Sequence, residues 1–136
     1  MEQQHGELCV RVLSCVAWAD GSLSEEEMSA VVDVVDRLDY VDRSTIQDIL
    51  MTTTRFTFLD KITALDRKVR IRLLHDCYTV AEYCGGISDP EREIIRAIAV
   101  SIVDAKKLPD AEAALDAWVA YEMKARKVFG WTHLGD

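Results

Sequence analysis

The chain has 136 residues, with 49% hydrophobic and 29% charged side chains and a net charge of −8. That is the size and balance of one ordinary soluble domain, long enough to bury roughly 68% of its unfolded surface without a staple. The acidic excess lies wholly in residues 1–60, which hold twelve Asp/Glu against four Lys/Arg; this argues against nucleic-acid binding and suits a cation, a basic protein partner or plain solubility.

The apolar period is helical along nearly the whole chain. Leu8, Val12, Cys15, Val16 and Ala19 form a first stripe, and Met28, Val31, Val32, Val35 and Leu38 a second. Ile46, Ile49 and Leu50 mark a third helix, and Thr52–Arg55 a break after it. Phe56, Phe58, Leu59 and Ile62 suggest a short fourth. Val69, Leu73, Tyr78, Val80, Ala81 and Cys84 fall in a long fifth, apolar on more than one side. Ile94, Ile95, Ile98, Ala99 and Ile102 define a sixth. Pro109 suits the first turn of a seventh, which runs on through Ala114, Leu115, Trp118, Tyr121 and Met123. The fold class is all-α: a compact bundle of about seven helices in a single domain, 1–136. Its core spans about 7–128, and residues 129–136 form a C-terminal tail. Phe129 and Trp131 either fold back onto the bundle or form an aromatic hook for a partner.

Four cysteines form no CxxC motif. The first residues are polar, without an early positive charge, and no apolar run approaches the roughly 20 residues of a transmembrane segment. The expectation is a reduced, cytoplasmic protein.

Gly21–Glu27 lines up with Gly85–Glu91 at an offset of 64, each after one helix and before the next. The pattern predicts two pseudo-repeated helix–turn–helix units. Asp20-Gly21, five residues, then Glu27 is the second half of an EF-hand calcium loop. The first half fails, because its ligand positions fall on Val16 and Trp18. Calcium takes six to eight oxygens, more than Asp20 and Glu27 supply. Capping explains the same residues. Ser24 with Glu27, and Ser88 with Glu91, have the spacing of a capping box, with Pro90 inside the first turn of the second copy. Gly21 and Gly85 are expected to free the chain for tight turns.

The Asp20-Gly21-x-Leu23-x-x-x-Glu27 motif resembles the hallmark of TerB-like domains, the tellurite-resistance family and its relatives. Gly85-x-Ile87-Ser88-x-x-Glu91 is similar to that family's second motif, and the resemblance spans about residues 7–125. It implies a bundle of about seven helices in a bacterial stress-response system, working with protein partners in assemblies near the membrane. It also implies divalent-cation binding, by calcium for example, through Asp20, Glu27 and Glu91. Cys84 departs from the family's aspartate, so a symmetric two-site metal arrangement is not expected.

The resulting expectation is a non-enzymatic interaction module whose acidic surface, with Glu25 and Glu26, faces a protein partner. The alternative is a divalent-cation sensor built on Asp20 and Glu27. His75-Asp76-Cys77 with Cys84 invites a zinc reading, but residues 77 and 84 on one helix stand roughly 10 Å apart along the axis. Core or surface placement is the simpler reading. Lys61, Arg67, Lys68, Arg70 and Arg72 form the clearest basic run and read as a solvated helix face. No P-loop, dinucleotide or nucleophile-elbow motif is present, so the sequence indicates no reaction.

Overall fold

The computed structural model describes residues 3–19, 21, 23–25, 28–29, 31–32, 43–53, 55, 57, 59–83 and 86–130. Among them the fold is all-α, with no strand. The helices are α1 (Gln3–Ala17), α2 (Arg43–Thr52), α3 (Leu59–Ile62), α4 (Arg67–Tyr83), α5 (Asp89–Ala99) and α6 (Leu108–Phe129). A 3-10 turn, Ala105–Lys107, leads into α6. Glu25, Met28, Ser29, Val31 and Val32 are also helical. The predicted Val35 and Leu38 positions, and Phe56 and Phe58, lie outside the described residues.

The centre of the bundle is α4, which packs against α1, α5 and α6. Every side chain from Leu73 to Ala81 is buried. A helix buried through more than two turns must be surrounded, which is why its sequence is apolar on more than one side. From α1, Cys9, Val10, Val12, Leu13 and Val16 meet this core; Ile95 and Ile98 of α5 and Leu115 and Val119 of α6 close it. Predicted stripes and observed core agree closely except on α6. There Trp118 and Tyr121 lie on the exposed side, and Leu115 and Val119 occupy the inner face.

Two side chains, Ser14 of α1 and Trp18 just past its end, cap the end of α2. The last carbonyls of any helix lack intrahelical donors. Here Ser14 Oγ donates to Thr53 O at 2.6 Å, and the Trp18 indole N–H donates to Leu50 O at 2.7 Å. The break predicted at Thr52–Arg55 begins one residue later than expected, because Thr52 still belongs to α2, and Ser14 and Trp18 cap it. A short helix does follow, α3 (Leu59–Ile62).

Before α5, the predicted capping box is present in both directions. Glu91 N–H donates to Ser88 Oγ at 3.3 Å, and Ser88 N–H donates to Glu91 Oε1 at 2.8 Å. Pro90 sits in the first turn, where its missing donor is harmless. Arg92 N–H donates to Ser88 O, and Met28 N–H makes the equivalent bond to Ser24 O, 64 residues earlier. Gly21 has φ 95°, a conformation that favours glycine. In the second turn it is Gly86, with φ 127°, that takes such a conformation; Gly85 lies outside the described residues.

Candidate functional site

Of the residues singled out from the sequence, Asp20, Glu26, Glu27 and Cys84 lie outside the described residues. Glu25 is exposed. Glu91 is buried, and its Oε1 is engaged by Ser88 N–H. The end of α1 and the start of α5 do come together. Trp18 and Ala19 share a cleft of about 470 Å³ with Pro90, Glu93 and Ile94, and Arg55 lines it too. A cation there would share the cleft with a guanidinium, which opposes it unless further carboxylates contribute. Among the described residues no group of three or more His, Cys, Asp or Glu side chains is placed to hold a metal ion.

The other constellation lies between α4 and α6. His75 is buried, and each of its ring nitrogens meets a carboxylate. Nδ1 is 3.0 Å from Asp76 Oδ1, and Nε2 is 3.0 Å from Glu122 Oε2 on α6. An ionised carboxylate only accepts, so a ring nitrogen that carries a proton donates to the carboxylate it faces. The Trp118 ring lies over the imidazole, with centroids 4.1 Å apart and planes tilted by 34°. Lys68, Ile71 and Arg72 complete the lining of a cleft of about 310 Å³.

Of the two placements expected for His75-Asp76-Cys77, core or surface, the structure has the core: all three are buried. Cys77 is pushed well above the ordinary thiol range by burial and by the charge of Asp76. Burial pushes Cys9 up to about 12, with Asp76 adding to it, and burial alone does the same to Cys15. These are inert thiols, protonated at neutral pH. The basic run is solvated at Lys61, Arg67, Lys68 and Arg72. Arg70 departs from it: half-buried, it donates through Nη1 to the Ser101 carbonyl. Glu122 and Trp118 were not legible as partners of His75. Their only signal is the i, i+4 spacing that puts both on one face of α6.

Fold and cleft define an all-α helical-bundle domain with a charged groove between its central and last helices. No family model, curated protein or solved structure matches the chain.

Proposed function

We propose that the protein is a non-enzymatic, TerB-like interaction module of a cytoplasmic stress-response system, with a protein as its partner. In this reading the bundle has seven helices, and the helical residues Glu25, Met28, Ser29, Val31 and Val32 belong to the one beyond α1–α6. The turns at Gly21–Glu27 and Gly85–Glu91 start two pseudo-repeated units. The observation that carries the reading is the outer face of α6. Trp118 is 44% exposed, Tyr121 74%, Val128 68% and Phe129 69%, beside the exposed Lys124 and Lys127. Large apolar side chains gathered on one open helix face mark an interaction surface. The flanking lysines favour an amphipathic segment with acidic flanks. The acidic turn holding Asp20, Glu25, Glu26 and Glu27 is the module's second contact face. Among the described residues no helix is long and apolar enough to cross a membrane.

A photocrosslinking residue at position 121, and separately at 25, tests this in the native cell. The module reading expects one discrete protein at position 121, with purified partner binding weakened at least tenfold by Val128→Asp. Crosslinks at 25 alone would move the interface to the acidic turn. A discrete partner at neither position would overturn the reading.

A second reading, a divalent-cation sensor using Asp20, Glu27 and Glu91, rests on the Asp20–Glu27 motif, while the cleft between α1 and α5 carries the opposing Arg55. Its test is thermal unfolding in EDTA and then in calcium, magnesium, manganese or zinc. A sensor gains melting temperature by mass action and loses the gain in Asp20→Ala/Glu27→Gln. A binding module shows no cation-dependent shift.

A further inference from the structure

Lys68, Arg72 and His75 rise along one face of α4, since residues three and four apart are neighbours on a helix. Lys68 and Arg72 are exposed, and among the described residues neither forms an ion pair or hydrogen bond. Both line the α4–α6 cleft, with Ile71 and Trp118 as apolar walls and the imidazole of His75 at its base. Two free cations beside a buried N–H donor make a concavity suited to an anion.

The anionic position in this concavity is held by the protein itself. Glu122 reaches Nε2 of His75 from the opposite helix, and its side chain is 27% exposed. Asp76, on the other ring nitrogen, is fully buried. The two carboxylates therefore differ. Glu122 can rotate into water and be solvated there, whereas moving Asp76 would strand a charge in the core. At about 310 Å³ the cleft is at the small end of ligand sites, enough for one ring and a polar head. Trp118 stacks on the imidazole yet keeps 44% of its surface open, so it presents aromatic surface to whatever enters.

We propose that the α4–α6 cleft binds a small organic carboxylate with a flat apolar body. The ligand's carboxylate takes the place of Glu122 on the Nε2–H of His75 and lies between Lys68 and Arg72. Its body lies against Trp118 and Ile71. Glu122 is a tethered competitor that keeps the imidazole partnered while the cleft is empty. The site shares Trp118 with the partner face on α6, and the two proposals are tested by separate readouts.

The test is a ¹H–¹⁵N NMR titration of the full chain with sodium benzoate, and separately with inorganic phosphate. The variants are Glu122→Gln and Lys68→Glu/Arg72→Glu, the latter at exposed positions where the fold is retained. Benzoate should move the Trp118 indole N–H and the amides of residues 68–75 and 118–122. It should bind on the order of tenfold more tightly to E122Q, where the competing charge is gone. In Lys68→Glu/Arg72→Glu the shifts should vanish while the spectrum stays folded. Resonances unmoved by benzoate in both wild type and E122Q would overturn the site. Equal binding by wild type and E122Q would overturn the competitor role of Glu122. Phosphate shifts as large as those from benzoate would overturn the requirement for a flat body, and unchanged binding in Lys68→Glu/Arg72→Glu would overturn the cationic one.

Discussion

At the buried hydroxyl of Ser14, α1 supplies what the end of α2 lacks. The Oγ donates to Thr53 O and lies 3.5 Å from Ile49 O, both carbonyls at the helix terminus. Water cannot replace it, because Ser14 is fully buried. Removing the donor leaves a buried acceptor unsatisfied, which costs about 1–3 kcal/mol. Ser14→Ala should therefore lower the urea midpoint by that amount of stability, with an unchanged m-value. Ser29→Ala, at an exposed position, should stay within about 0.5 kcal/mol of wild type. Trp18 acts alongside Ser14, bonding Leu50 O through its indole N–H. Neither residue stood out in the sequence, because a serine or tryptophan in an apolar stripe gives no sign of which carbonyl it will meet.

Among the elements, α5 is set by its own first turn. Ser88 has extended backbone, at φ −75° and ψ 162°, and caps Glu91 N–H, while Asp89 and Glu91 oppose the positive end of the helix dipole. Ser88→Ala should cost about 1 kcal/mol in chemical denaturation, a typical N-cap loss. Glu91→Gln keeps an acceptor for Ser88 N–H and should cost less than Ser88→Ala. A loss from Glu91→Gln larger than that from Ser88→Ala would show that the carboxylate does more than cap. Once started, α5 is held to α6 by Glu112, which accepts from Arg96 Nε at 2.6 Å and lies 3.8 Å from Arg92 Nη1. The Arg96 side chain is 52% exposed, so that pair orients the helices more than it stabilises them.

Across the whole molecule, burying three thiols makes stability depend on alkaline pH. Cys9 and Cys15 are raised from 9.0 to about 12 in the fold, so the unfolded chain loses those protons first. Their contribution is full below pH 9 and is lost as pH climbs from 9 toward 12, at up to about 1.4 kcal/mol per thiol per pH unit. Denaturation on a Cys84→Ser background at stepped pH should show this decline, and the native protein should resist thiol reagents at pH 8. Local residue order specifies the helical class, the stripes that became the core, the start of α5 at Ser88 and the Pro109 turn of α6. Each depends on residues within a turn or two of one another, where period and capping act directly. Helix packing sets the meeting of Ser14 with Thr53, 39 residues away, and of His75 with Glu122, 47 residues away. It also decided that Trp118 faces a cleft and not the core. Such pairings depend on which helices pack together and how each is rotated about its axis. A turn of α6 by about 100° would exchange Trp118 for Val119 in the interior, and both choices fit an apolar stripe.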